Sequence, residues 1–242
     1  MTALPLLAPG DPFPPVSQAL AEPDGLLAAG GDLSCDTLLR AYARGIFPWF
    51  SDGDPILWWS PDPRLVLDPA DFHCQRSLAK RLRRGEFRFS LDHAFPAVLD
   101  ACASTPRHGE TGTWIVPAMS SAYNAMHLAG HAHSVEVWQR DELVGGLYGI
   151  CLGSTFFGES MFSHASDASK AALALLCALS PALGIDQVDC QVETAHLQRL
   201  GASNMPRQAF IARLGDARPR PAHWDRLSIR AFDDFVEAFT LG

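Results

Sequence analysis

The chain has 242 residues, enough for one large domain or a domain with a small appendage, and its composition (48% hydrophobic, 19% charged) is that of a folded protein. No apolar run approaches the ~20 residues of a membrane helix, and Met1-Thr-Ala-Leu-Pro-Leu-Leu-Ala-Pro-Gly10 lacks the basic start of a signal peptide, so a cytoplasmic protein with no membrane partner is expected. The net charge of −8 argues against indiscriminate nucleic-acid binding, and six widely spaced cysteines without a C-x-x-C pair read as free thiols, not as a zinc or redox site.

The first fifty residues are rich in loops. Ser34 is a good N-cap for a short helix from about Cys35 to Arg44, with Leu38, Leu39 and Tyr42 on one face and Gly45 as its stop. The aromatic, proline-stiffened stretch from Ile46 to Arg64 marks a domain boundary, which gives a small N-terminal domain, 1–64, and a larger one, 65–242. A helix near Ser77 to Arg84 follows. At about 100° per residue, Arg76, Lys80, Arg83 and Arg84 share one face, while Leu78 and Leu82 share the opposite one.

Phe87, Phe89 and Leu91 then alternate as a half-buried strand does. Asp92 is placed to cap a helix carrying Phe95, Val98, Leu99 and Cys102, and another helix covers Pro117 to Ala129. Strands are expected at His133–Gln139, Leu143–Leu152 and Thr155–Phe162, the first two joined as a hairpin through Arg140-Asp-Glu142. A helix from Ala168 to Leu179, a strand Gln187–Val192, a short helix to Leu200 and a strand near Phe210 complete the order. The result is an α/β (α+β) chain with a mixed sheet, like that of the GNAT acyltransferases. Beyond it lie a proline- and arginine-rich linker and an amphipathic helix, Ala231 to Phe239.

Three constellations could carry chemistry. The four cations on one helix face could track a phosphate backbone, or could simply be a solvated face. Glu159 stands in an apolar, glycine-flanked strand; it is either a buried binding group or an edge residue facing water. Asp189 and Gln191 lie two apart at a strand end, so that Asp189 can orient Gln191 or the two can be a structural polar pair. His127, His131 and His133 straddle a glycine and lack a convincing acidic or sulfur partner, and no metal site is expected. P-loop, G-x-S-x-G and dinucleotide fingerprints are absent.

Taken in order, Gly25-Leu-Leu-Ala-Ala-Gly-Gly-Asp-Leu-Ser34, Tyr42-Ala-Arg-Gly-Ile-Phe-Pro-Trp49, Trp58-Trp-Ser-Pro-Asp-Pro-Arg64, Phe157-Gly-Glu-Ser-Met-Phe-Ser163, Asp189-Cys-Gln191 and His196-Leu-Gln-Arg-Leu-Gly-Ala202 resemble the leucyl/phenylalanyl-tRNA–protein transferase family. The resemblance implies a small N-terminal domain before a GNAT-like catalytic domain. It also implies transfer of leucine or phenylalanine, with methionine a further donor, from aminoacyl-tRNA to acceptor proteins beginning with arginine or lysine. The product would be a degradation signal of the N-end rule, made without metal, nucleotide or coenzyme A. Carried over by position, Asp189 and Gln191 resemble the catalytic pair, and Glu159 a polar contact to the substrates. Trp49, Trp114, Leu147, Phe156 and Val188 resemble the walls of the aminoacyl pocket, and Arg76, Lys80, Arg83 and Arg84 the tRNA contact. His164 stands where many relatives carry arginine, and Leu147 where methionine is frequent.

Three rival readings are separable. A cell-wall aminoacyltransferase would share the donor but use another acceptor, which a panel of acceptors separates. An acetyltransferase of the same fold would need a glycine-bearing pyrophosphate loop, whereas Ser163-His-Ala-Ser-Asp-Ala-Ser-Lys170 contains no glycine. A tRNA-binding protein without catalysis would leave Asp189 and Gln191 without a task.

Overall fold

A computed structural model describes residues 4–105 and 115–215, together with Trp224 and Phe239. In chain order the elements are β1 (Leu6–Leu7), β2 (Leu26–Gly30), α1 (Cys35–Tyr42), β3 (Phe47–Pro48), β4 (Leu57–Trp59) and β5 (Arg64–Leu67). Next come α2 (Arg76–Arg83), β6 (Arg88–Leu91), α3 (Phe95–Ser104), α4 (Pro117–Leu128), β7 (Ala132–Gln139), β8 (Glu142–Leu152) and β9 (Thr155–Ser163). The last are α5 (Ala168–Leu183), β10 (Gln187–Gln191), α6 (Ala195–Arg199), β11 (Ser203–Met205) and α7 (Arg207–Leu214).

Two sheets result. A small one has the order β1-β2-β4-β3, and a seven-stranded one the order β11-β5-β10-β9-β8-β7-β6. In the large sheet only β9 and β10 run parallel, so the expected mixed α/β architecture is present. Side chains alternate between its faces. Tyr148, Phe157 and Phe162 enter one core with α1, α3, α4 and the small sheet; Leu147, Phe156 and Val188 enter a second core with α2 and α5.

Local chemistry explains most of the elements. Ser34 accepts the backbone N–H of Thr37 at 3.3 Å and so caps α1. On α2, Leu78 and Leu82 are buried while Arg76, Lys80, Arg83 and Arg84 are exposed, the split that the 3.6-residue period implies.

Two expectations are corrected. Asp92 does not cap α3: it adopts a left-handed conformation (φ 54°) and turns its carboxylate to the Ser134 N–H (2.7 Å) and the His133 Nδ1 (2.6 Å). The N–H of Ala94 at the helix start is met instead by Glu136, at 3.3 Å from β7. Phe210 lies on a helix, α7, and the strand of that region is β11. Pro206 stops the strand, and Phe210 and Leu214, four apart, bury together on one helical face. The expected helix Ala231 to Phe239 and the linker before it lie outside the described residues, Trp224 and Phe239 excepted. None of the described helices is long and apolar enough to cross a membrane.

Candidate active site

The parallel pairing of β9 with β10 ends at Phe157↔Asp189, although β9 runs on to Ser163. Past that point Gln191 adopts a left-handed backbone (φ 63°), and the register of β10 on β5 shifts between Asp189 and Gln191. A non-glycine residue in this region costs about 1–2 kcal/mol. Such strain collects at working sites and has to be held by its surroundings. Here the holder is Asp189, whose Oδ1 accepts the Gln191 backbone N–H at 2.9 Å.

Asp189 is itself held. The Arg64 guanidinium grips it through both oxygens, Nε to Oδ1 at 2.8 Å and Nη2 to Oδ2 at 2.6 Å, with both side chains wholly buried. Arg64 also donates to the Gly45 carbonyl at 3.1 Å and lies between the rings of Phe47 and Phe210, each 4.8 Å from the guanidinium carbon. Five parts of the chain therefore meet on one cation: the turn after α1, β3, β5, β10 and α7.

The strand-end alternation expected for Asp189 and Gln191 is thus not what links them. The left-handed turn sends the Gln191 carboxamide to Glu159, whose Oε1 accepts from Nε2 at 2.9 Å. Glu159 is not an edge residue facing water. It sits on an inner strand, is buried, and also accepts from Tyr42 (2.8 Å) and Tyr123 (2.6 Å). Burial pushes its carboxyl up to about 7; the Tyr123 and Tyr42 hydroxyls pull the other way, Asp189 adds to the rise and Arg64 opposes it. Burial first, then the Glu159 charge, raises both tyrosines well above their ordinary value, so they stay protonated donors.

This polar cluster lies at the wall of a cavity of about 710 Å³. Trp49, Leu147, Phe156 and Val188 line it together with Glu159, Asp189 and Gln191; Trp114 lies outside the described residues. Trp49 is 40% exposed at the rim, and Trp59 packs beside it and donates its indole N–H to the Trp49 carbonyl at 2.7 Å. Among the described residues no group of three His, Cys, Asp or Glu side chains is arranged to hold a metal ion. His127 stacks on Phe95 at 4.2 Å, and His133 is tied to Asp92.

Two protein-family models match the chain, one described as leucyl/phenylalanyl-tRNA protein transferase over residues 66–215 and one as the N-terminal domain of the same transferase over residues 31–62. The chain belongs to the leucyl/phenylalanyl-tRNA–protein transferase family. Relatives carrying that name include one from Chromohalobacter salexigens, 61% identical over 82% of this chain and 77% of its own. Others come from Pseudomonas syringae pv. syringae (54%, covering 88% and 93%) and Bordetella avium (51%, covering 97% and 98%). Leucyl/phenylalanyl-tRNA–protein transferases are aminoacyltransferases, so this member is an enzyme of that class. Solved structures with a partial likeness include FemX (10% identity, TM-score 0.46, covering 71% of this chain and 66% of that one) and a GCN5-related N-acetyltransferase from Kribbella flavida (11%, 0.35, covering 67% and 57%).

Within this transferase, residues from six segments of the chain, the first near 47 and the last near 197, converge on one cavity. Sequence reading missed Arg64, Tyr42 and Tyr123 as site residues. The available signal for Arg64 was an arginine opening the apolar run Leu65-Val-Leu67, where a cation survives only with a buried partner.

Proposed function

We propose that the enzyme transfers leucine or phenylalanine, and also methionine, from aminoacyl-tRNA to the N-terminal arginine or lysine of acceptor proteins. The new N-terminus would mark the acceptor for degradation, and the need for charged tRNA assigns the reaction to the cytoplasm. The observation that carries the reading is the Glu159–Gln191 pair set in the wall of a largely apolar cavity. Catalytic residues on this reading are Glu159 and Gln191, with Asp189 as the group that holds Gln191. No metal, nucleotide or coenzyme A is called for, because the ester of the donor is already activated.

In the proposed step the acceptor α-amine attacks the ester carbonyl. The C–N bond forms, the C–O bond to the tRNA ribose breaks, and one amine proton passes to Glu159 and then to the departing ribose oxygen. An α-amino group has a reference pKa of about 7.7–8.0, and a carboxylate near 7 suits it as proton acceptor. Asp189 is poorly placed for that task, since the Arg64 cation grips both its oxygens, whereas Glu159 is held only by the neutral donors Tyr42, Tyr123 and Gln191. Gln191 gives its Nε2–H to Glu159, which leaves its carbonyl oxygen to accept from the attacking amine. Positioning of this kind is worth up to ~10⁵–10⁸ M in effective concentration. An acceptor arginine or lysine side chain would sit favourably near Glu159.

Trp49, Leu147, Phe156 and Val188 would form the aminoacyl pocket, and the family resemblance assigns Trp114 to it as well. The test is a donor panel of Leu-, Phe-, Met- and Val-tRNA against one arginine-led peptide. The first three are expected to be used, and the β-branched valine to be poorer by about 10–200-fold, the discrimination that one misplaced methylene supports. Valine transferred as well as leucine would remove the pocket assignment.

The exposed cations Arg76, Lys80, Arg83 and Arg84 would take the tRNA backbone. Arg84 lies 3.7 Å from Glu86, whereas Arg76, Lys80 and Arg83 form no ion pair among the described residues. Lys80→Glu with Arg83→Glu is expected to raise KM for Leu-tRNA and to lower the salt slope of binding by about 1 per lost phosphate contact. Transfer from a leucyl-adenosine fragment, too short to reach α2, should be unchanged. The same reading divides the chain into a small domain, 1–64, and a catalytic domain, 65–242, a division supported by the separate four-stranded sheet.

A further inference from the structure

The geometry points to Trp224, a residue beyond the matched family region, as a positioning residue that braces the Phe156 wall of the cavity and so helps set which donor side chain fits. This rests on the reading of that cavity as the aminoacyl pocket. Trp224 is 7% exposed and packs in the same core as the wall residues Leu147, Phe156 and Val188, yet does not itself line the cavity. Its ring stacks on Phe156, with centroids 5.9 Å apart and planes 19° apart, and on His133, at 4.5 Å and 20°.

Both partners are held from behind. The Phe156 ring lies over Gly149, where a Cβ would come within 2.6 Å of it, so the ring has no freedom toward β8. His133 is fixed by Asp92 at 2.6 Å, and Asp92 is fixed in turn by the Ser134 N–H at 2.7 Å. The stack His133–Trp224–Phe156 therefore ties the pocket wall on β9 to the β6–β7 side of the sheet. Offset aromatic pairs of this kind add to the burial of their rings and fix orientation. Without the indole, the Phe156 ring gains room to withdraw from the cavity, and the pocket deepens.

The test compares Trp224→Leu, which keeps apolar bulk without a flat ring, with Trp224→Phe, which keeps the stack; Trp224→Ala is added if it folds. Steady-state transfer is measured with Leu-tRNA and Phe-tRNA on one arginine-led peptide. Trp224→Leu should shift the ratio of kcat/KM toward phenylalanine on the order of tenfold, mainly through KM, while Trp224→Phe keeps the wild-type ratio. Binding of uncharged tRNA should not change in either. A folded Trp224→Leu enzyme with the wild-type donor ratio would overturn the brace. Failure of the underlying pocket reading would look different: the wild-type enzyme itself would not discriminate valine from leucine.

Discussion

Arg64→Ala is expected to lower the free energy of unfolding by on the order of 3–5 kcal/mol, because it strands the buried Asp189 carboxylate without its cation. The loss reaches further than one ion pair. Arg64 also holds the Gly45 carbonyl and packs between Phe47 and Phe210, so its removal loosens the turn after α1, β3, β10 and α7 together. Lysine does not rescue it, since an ammonium cannot grip both Asp189 oxygens in the forked geometry that the guanidinium provides. The double variant Arg64→Met/Asp189→Leu is expected to recover much of the stability, because apolar replacement of a whole buried pair is often neutral. It should still transfer slowly, since the left-handed Gln191 has lost the acceptor of its backbone N–H. Urea unfolding and transfer rates on the same preparations check both halves.

Glu159→Gln is expected to slow transfer by on the order of 10²–10⁴-fold at pH 8, the usual loss when a positioned base is removed. The sign of the pH dependence follows from the raised carboxyl. Below about pH 7 Glu159 holds its proton and cannot take another, so wild-type activity falls with acid through two ionisations, that of Glu159 and that of the acceptor amine. The glutamine variant should keep only the amine's ionisation. Stability moves oppositely. A carboxyl whose folded value lies above its ordinary one favours folding while protonated and loses that advantage as pH rises through about 7. At pH 8 the Glu159→Gln protein should therefore unfold no more easily than wild type. A pH–rate profile with thermal unfolding at pH 6 and pH 8 separates the two effects.

Much of the fold was legible because its signals are local. The Ser34 cap, the Leu78/Leu82 face of α2, the alternation of β6 and the β7–β8 hairpin follow from neighbouring residues, and α1, α2 and β6 to β9 appear within a few residues of their expected bounds. The cavity walls Trp49, Leu147, Phe156 and Val188 came from motif resemblance, and they meet around one cavity.

What was not legible depends on distant contacts. Arg64 and Asp189 are 125 positions apart, and Tyr42 reaches Glu159 across 117. No periodicity encodes such pairs. Asp92 had the look of a helix cap, but the backbone and ring of β7 compete for the same carboxylate and win. Phe210 carries no clear preference between strand and helix until Pro206 has ended β11 and the Arg64 guanidinium fixes the ring. Gln191 departs from strand geometry at one residue, and that departure turns its side chain toward Glu159 rather than Asp189.

The most direct measurement is transfer of labelled leucine from Leu-tRNA to three peptides that differ only in their first residue: arginine, lysine or alanine. The account predicts label on the arginine and lysine peptides, near background on the alanine peptide, and none on any of them with Glu159→Gln over the same interval. Equal labelling of all three would contradict the acceptor assignment, and full labelling by Glu159→Gln would contradict the proton acceptor at its centre.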